Sequence, residues 1–456
     1  MSNSVEIFVY NTKAGLLERS DDGEYIFSYD KEFLNSSTEA ISLSLPLREE
    51  PYVSEVLHPF FDGLIPEGWL LDLAVRNWKL KHTDRFELLR VTCKDAVGAV
   101  SVREKRVAAA VESDSRAESV INSTILDRDN CPVTNTKLCM ISYSPLDNSE
   151  MEMHELYRTA NSKRMFGSGV KPKCVGFSSK SLKKLALAQV DSGVNLTGVQ
   201  KKMSIGLVGG KDNEGEKRLT YIEEGGEYIL KPQSEDFELL PETEHLCMKL
   251  AEVCKFKVPS CALIPLESGE ISYLIKRFDR KKSKKLYQED FCQISGKPTS
   301  EKYRSSVEKC AKIIETHCTH PKVNLVLFFD IVLFNYIIGN ADMHLKNYSL
   351  VKNPKSGHIE LSPSYDYVST KLLMPEDTEE TALTINGKKS KITVRDWKSL
   401  AASMGFDEGH FQSRVKQFKK WEDKFYDVVE KSFISRDQKN RFKEIIQNNM
   451  ERIVAL

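Results

Sequence analysis

Ile337-Ile338-Gly339-Asn340-Ala341-Asp342-Met343-His344-Leu345-Lys346-Asn347 places an acid, an imidazole, an amine and two amides directly behind an apolar run. That run, Val323 to Ile338, contains Asn324, Asp330 and Asn335 and falls short of the roughly 20 apolar residues a bilayer span needs. It reads as a buried helix. Gly339 is a natural stop for it, because glycine enters the left-handed backbone region without a Cβ penalty. Asp342 to Asn347 are therefore expected on a loop held by a rigid element, where reactive side chains are usefully placed.

Asp342 and Asn347 have the spacing of a kinase catalytic loop, whose Asp takes the substrate hydroxyl's proton and whose Asn holds magnesium. Asp366, in Ser364-Tyr365-Asp366-Tyr367, follows the strand pattern Ile359 to Leu361 and is the candidate second metal-binding acid, expected on a strand. Two carboxylates beside a triphosphate require cations, since like charges 4 Å apart repel by about 4 kcal/mol at an effective dielectric near 20. Magnesium between Asn347, Asp366 and phosphate removes that conflict. Lys231, ending Tyr228-Ile229-Leu230, and Glu244, on a predicted helix, supply the lysine–glutamate pair of the same chemistry. Each feature alone is weak, because a lone D-x-x-x-x-N is common and a strand-end lysine usually snorkels. Their order, with each on a suitable element, carries the argument.

Composition narrows the alternatives. The chain has 456 residues, 40% of them hydrophobic, enough for two to four packed units and outside the disordered and fibrous classes. Lys+Arg and Asp+Glu are 66 each, so no net field draws the molecule to nucleic-acid backbones. Ten cysteines without a C-x-x-C pair, and a start without a basic-then-apolar leader, point to a cytoplasmic protein that does not engage a membrane. No G-x-x-x-x-G-K-[ST] or G-x-S-x-G motif occurs, which removes the commonest NTPase and esterase readings. Cys310, His317, Cys318 and His320 read as a satisfied or solvated helix end rather than a metal-ligand set, because adjacent helical residues point apart, and the basic run Lys276 to Lys285 reads as a charged turn between strands.

Four parts follow along the chain. Residues 1–105 pattern as a small α/β unit, with strands at Val5 to Tyr10, Tyr25 to Tyr29, Ile41 to Leu45 and Val97 to Val102 and a helix at Leu70 to Trp78. Residues 106–190 begin without apolar periodicity and read as a connection and lead-in. Residues 191–295 pattern as a meander with turns at Gly209-Gly210 and Gly225-Gly226, then a helix at Thr243 to Val253 and a strand at Ile271 to Ile275. Residues 296–456 pattern as helices, including Tyr303 to His317, Val323 to Ile338 and the segments after Asp396. Ser435 and Gln438 there have capping-box spacing.

Several motifs together resemble the HipA serine/threonine kinase toxins: Thr197-Gly198-Val199-Gln200-Lys201-Lys202, Lys276-Arg277-Phe278-Asp279-Arg280, Asn340 to Asn347 and Ser362-Pro363-Ser364-Tyr365-Asp366. Phe60-Phe61-Asp62-Gly63-Leu64-Ile65-Pro66-Glu67-Gly68 and Val97-Gly98-Ala99-Val100 are similar to that family's separate N-terminal subdomain, so the likeness spans nearly the whole chain. The resemblance implies an α+β, bilobal protein-kinase-like fold: a mixed N-lobe, an extra small N-terminal α/β subdomain and an all-helical C-lobe. It implies transfer of the γ-phosphoryl group of ATP, with Mg2+, to a protein Ser or Thr. In the best-known members the substrate is an aminoacyl-tRNA synthetase, and a helix-turn-helix antitoxin binds the kinase and represses the operon, so DNA is met only through the antitoxin.

Carried over by position, Asp342 would be the catalytic aspartate, supported by His344 and Lys346, and Asn347 and Asp366 would be the magnesium ligands. Lys231 is the phosphate-binding lysine with Glu244 as its partner, the Lys276 to Phe278 backbone meets adenine, and Gln200 and Lys202 belong with Thr197 and Gly198 to the phosphate-covering loop. Some members autophosphorylate a serine ahead of that loop. Here Asn195-Leu196-Thr197 leaves a hydroxyl only at Thr197, with Ser192 nearby. Cys131-Pro132-Val133-Thr134 lacks the second cysteine of the zinc-ribbon pattern of some relatives, so no zinc is expected. Two alternatives stand beside this reading: a catalytically silent ATP-binding protein that sequesters a DNA-binding partner, and a kinase of small hydroxylated metabolites.

Overall fold

The computed structural model describes residues 3–104, 137–147, 149, 151, 156–167, 179–209, 217–222, 224–282 and 284–454. The Cys131 motif and the start of the connecting segment lie outside these residues. In the first unit β1 (Ser4–Val9), β2 (Thr12–Arg19), β3 (Tyr25–Tyr29), β4 (Tyr52–Ser54) and β5 (Val100–Glu104) form an antiparallel sheet in the order β4-β3-β2-β1-β5. Val5, Ile7 and Val9 alternate inward from β1 and share a core with Phe60, Leu73 and Leu89 of the helices Pro59–Asp62, Gly68–Trp78 and Arg85–Thr92.

The expected strand at Ile41 to Leu45 does not form. Tyr29 OH accepts from Ile41 N at 3.1 Å and donates to the Leu45 carbonyl, while Glu289 takes the Ser42 hydroxyl and, at 2.9 Å, Leu43 N. Those local and distant partners fold the segment into a turn. β2, between β1 and β3, is a strand the alternation did not reveal.

The second sheet comprises β6 (Met203–Gly209), β7 (Lys217–Tyr221), β8 (Tyr228–Lys231), β9 (Cys261–Pro265) and β10 (Ile271–Lys276), ordered β7-β6-β8-β10-β9 and antiparallel throughout. The helix Leu240–Val253 is buried along most of its length, because it packs between β9 and β10 on one side and the helix Glu408–Lys431 on the other. Its placement carries Glu244 beneath the end of β8.

The basic run folds as the short hairpin β11 (Arg280–Lys281) and β12 (Lys284–Lys285), but it is not a purely solvated turn. Arg277, Arg280 and Lys285 turn inward. Arg280 Nη2 donates to Asp95 Oδ1 at 2.8 Å and to the Ala96 carbonyl at 2.8 Å, and its Nη1 donates to Asp279 Oδ2 at 2.6 Å. Asp279 also accepts from Gly98 N at 3.1 Å, so this buried network ties the first unit to the second.

The third part is helical, with Val307–His317, Pro321–Ile337, Val394–Ser403, Glu408–Lys431 and Arg436–Val454 around one apolar core. It also has a three-stranded sheet, β13 (Gln288–Asp290), β14 (Ser349–Lys352) and β15 (Ile359–Leu361), so it is not all-helical. Pairing β14 with both neighbours satisfies the backbone that leaves the loop Asn340 to Asn347. The helix expected from Tyr303 begins at Val307, where Ser306 Oγ caps it by accepting from Lys309 N at 3.3 Å. Ser435 and Gln438 form the expected reciprocal cap, each bond 3.2 Å. Among the described residues no helix is long and apolar enough to cross a membrane.

Arg280→Ala is expected to lower unfolding stability by about 3–5 kcal/mol, because it leaves Asp95 and Asp279 buried with less compensation. Urea unfolding checks this, and a loss below about 1 kcal/mol would contradict the role of the network.

Candidate active site

A cavity of about 630 Å³ lies where the three parts meet, and every sequence-predicted site residue lines it. At its base Lys231 Nζ lies 2.5 Å from Glu244 Oε1 and also donates to Asp366 Oδ1. Lys231 and Glu244 are buried, whereas the Asp366 side chain is 32% exposed toward the cleft. Burial opposes a charge on Lys231, but Asp366 and Glu244 outweigh it and hold its pKa above the ordinary value. Burial likewise opposes the Asp366 carboxylate, and Lys231 with Lys202 outweighs that, holding it down at about 2.

Asp366 is not on a strand. β15 ends at Leu361, and Asp366 adopts a left-handed conformation with φ 56°, which aspartate tolerates better than most residues. That turn directs its carboxylate back to Lys231.

The loop Asn340 to Asn347 begins as expected, with Gly339 at φ 68° just past the helix Pro321–Ile337. Asn340 Oδ1 accepts from Asp342 N at 3.0 Å, and Asn347 Nδ2 donates to the Asp342 carbonyl at 2.8 Å. Ala341 N donates to Thr370 Oγ1 at 2.8 Å. These bonds fix the backbone around the Asp342 carboxylate, which burial raises above the usual aspartate range and which accepts the Tyr303 hydroxyl at 2.6 Å. Burial, reinforced by Lys302, pushes His344 down to about 3, so its imidazole is neutral at physiological pH.

Lys346 has a different setting from Lys231. Its Nζ donates to the Gly63 carbonyl at 3.0 Å and sits 3.3 Å from Glu67 Oε1, while Glu67 Oε2 accepts from Lys302 at 2.7 Å. Burial opposes the Glu67 charge, but Lys346 and Lys302 hold that carboxyl at about 2. Glu67 thus brings the first unit into the catalytic loop. It is the functional residue that the chemistry of the sequence did not single out; Pro66-Glu67-Gly68 marked only a family likeness.

The first unit also supports the loop over the cleft. Asn195 N donates to the Asp95 carbonyl at 3.0 Å, and Asn195 Nδ2 donates to the Leu64 carbonyl. Gly68, at φ 51°, lies so close to Val199 that a Cβ would come within 2.8 Å of its backbone oxygen. Lys202 Nζ donates to the Thr197 carbonyl at 2.6 Å, bending the segment Thr197 to Lys202 over the cavity. Ser192 is tied elsewhere, to the Gln189 carbonyl and Tyr221 OH, and is not part of the cavity wall. Lys276, whose amine donates to the Met165 carbonyl at 3.4 Å, lines the cavity beside Phe278, whose ring packs against Tyr365.

The donor set suits magnesium. With Nδ2 of Asn347 engaged, its Oδ1 remains an oxygen ligand, and Asp366 adds a carboxylate; one or two protein oxygens are what magnesium takes when phosphates supply others. Among the described residues no group of three or more His, Cys, Asp or Glu side chains could hold a metal on its own.

The HipA-like C-terminal domain model matches residues 194–425, and the HipA N-terminal domain model matches residues 5–103. The chain belongs to the HipA family. A Sinorhizobium fredii protein named “Putative kinase Y4mE” is 24% identical over 408 residues, spanning 86% of this chain and 83% of its own. A Haemophilus influenzae protein named “Putative kinase” is 31% identical over 196 residues, or 40% of this chain and 54% of its own. HipA of Shewanella oneidensis MR-1, solved as a toxin–antitoxin complex with HipB and operator DNA, superposes with a TM-score of 0.66 at 18% identity, covering 99% of this chain and 98% of that one. The fold is the HipA-like kinase fold.

Because the Asp366 carboxyl is held low, its stabilising pairing is fully present above about pH 4 and is lost as pH falls through about 2. Burial raises the Glu244 carboxyl to about 7, so Lys231→Met is expected to cost about 3–5 kcal/mol at pH 7, with a deficit that narrows as Glu244 takes up a proton below pH 7 and narrows further between pH 4 and pH 2. Unfolding followed across that range checks it; a deficit absent at pH 7, or constant down to pH 2, would contradict the assignment.

Proposed function

We propose that this chain is an ATP- and magnesium-dependent serine/threonine protein kinase, the toxin of a type II toxin–antitoxin pair. The observation that carries the reading is Lys231, shared by Glu244 and Asp366 on the floor of a cleft that Asp342 and Asn347 also line. In this reading Lys231 and Lys202 neutralise the phosphates of ATP, and the Lys276 to Phe278 segment faces the base. Magnesium bound by Asn347 and Asp366 would offset negative charge on the phosphate oxygens. Asp342 receives the proton of the acceptor hydroxyl, and the loop bonds from Asn340 and Asn347 keep its carboxylate in place. Neutral His344 adds no charge beside it.

The acceptor is a protein Ser or Thr in the translation apparatus, such as an aminoacyl-tRNA synthetase. The inhibitor is a helix-turn-helix antitoxin, and DNA is met through that partner. The balanced 66 and 66 charges and the HipB–DNA complex of the Shewanella protein support this arrangement. Self-modification falls on Thr197, which lines the cavity, rather than on Ser192.

Incubation of wild type and Asp342→Asn with labelled ATP, magnesium and a bacterial lysate tests the reading. Wild type is expected to label a discrete protein, with the variant lower by about 10²-fold or more. Mass spectrometry of the same reaction is expected to find self-phosphorylation at Thr197. Equal labelling by the two proteins would refute the role of Asp342, and phosphate on the kinase at another residue, or none, would refute that of Thr197.

A further inference from the structure

Tyr303 is a large aromatic residue left 40% exposed at the mouth of the cleft, yet its hydroxyl is 2.6 Å from Asp342 Oδ1. An O–H donor on that carboxylate is what a substrate alcohol must become before it reacts. The Tyr303 ring rests edge-on against His344, with centroids 4.9 Å apart and planes at 85°.

The backbone around Tyr303 is held independently of its side chain. Leu345 N donates to the Lys302 carbonyl at 3.1 Å, Arg304 N to the Glu301 carbonyl at 2.8 Å, and Val307 N to the Thr384 carbonyl at 2.9 Å. Lys302 is further anchored through its amine to Glu67 at 2.7 Å. Rotation of the Tyr303 side chain toward solvent would therefore uncover Asp342 without moving the loop.

We infer that Tyr303 is a specificity-determining placeholder: its hydroxyl occupies the acceptor subsite on Asp342 until a substrate alcohol displaces it. The inference rests on the kinase reading above. Displacement puts the substrate oxygen where the phenol was. The alcohol proton passes to Asp342, the alcohol oxygen bonds to the γ-phosphorus, and the bond from that phosphorus to the ADP oxygen breaks. Water reacting by the same route would yield ADP and inorganic phosphate. A small, weakly bound acceptor such as water competes poorly with the tethered phenol, whereas a protein segment brings additional contacts to displace it. Tyr303 thereby suppresses futile ATP hydrolysis and favours acceptors that bind on both sides of the reacting hydroxyl.

The test compares wild type, Tyr303→Phe and Asp342→Asn in magnesium-ATP, first with water as the acceptor and then with dephosphorylated casein. Losing a charge-assisted hydrogen bond is expected to raise ATP hydrolysis by Tyr303→Phe about five- to tenfold and to lower KM for casein by a similar factor, without a fall in kcat. Tyr303→Ala, which also removes the ring, is expected to move both quantities in the same direction. A fall in kcat of Tyr303→Phe with KM unmoved would overturn the inference, because Tyr303 would then be positioning Asp342. Phosphate on Tyr303 itself, found by mass spectrometry, would overturn it as well. Turnover absent from wild type, or unaffected by Asp342→Asn, would instead overturn the kinase reading and this inference with it.

Discussion

Lys231 carries a positive charge into a place that water scarcely reaches, and two carboxylates from opposite lobes meet it there. Burying an ammonium costs several kcal/mol, and only close, well-directed partners repay that cost. Glu244 arrives on a helix packed between the sheet and the C-lobe, and Asp366 arrives through a left-handed turn beyond β15. The strand, helix and turn must all be in register for the three groups to coincide. The same constraint places a cation and a partly exposed carboxylate in the cavity that Asp342 and Asn347 also line.

A second buried group joins the remaining unit to this centre. Glu67 lies between Lys302 and Lys346, and Gly63 offers its carbonyl to the latter. On the other side of the cleft, Asp95 and Leu64 hold Asn195 at the root of the covering loop, and Gly68 lies against Val199. The N-terminal unit is therefore a third wall of the cavity. A change on its surface has a direct mechanical route to both the catalytic loop and the covering loop, without involving Lys231.

What was legible in the sequence was mostly local. Gly339 stops an apolar helix, and the polar residues behind it fall on a loop because a stop and a spacing are properties of neighbouring residues. Lys231 and Glu244 could be read for a similar reason, each from the element beneath it. Asp366 was found by its motif but was expected on a strand, since the turn that reverses it is set by Lys231, far away in the chain. Ile41 to Leu45 alternates like a strand, yet Tyr29 and Glu289 bend it into a turn. Tyr303 falls in a helical pattern, but the Ser306 cap starts the helix later and leaves the tyrosine in the cleft. Glu67 escaped a chemical reading altogether, because a lone glutamate between Pro66 and Gly68 gives no hint of lysines that only the tertiary fold brings to it.

In the proposed reading, the floor of the cleft holds a nucleotide together with magnesium. Calorimetric titration of ATP into wild type and Asp366→Asn, each with and without magnesium, tests it most directly. Magnesium should strengthen ATP binding to wild type and have much less effect on the variant, which loses a charged ligand while keeping its size. The same magnesium effect in both proteins, or none in wild type, would contradict the claim.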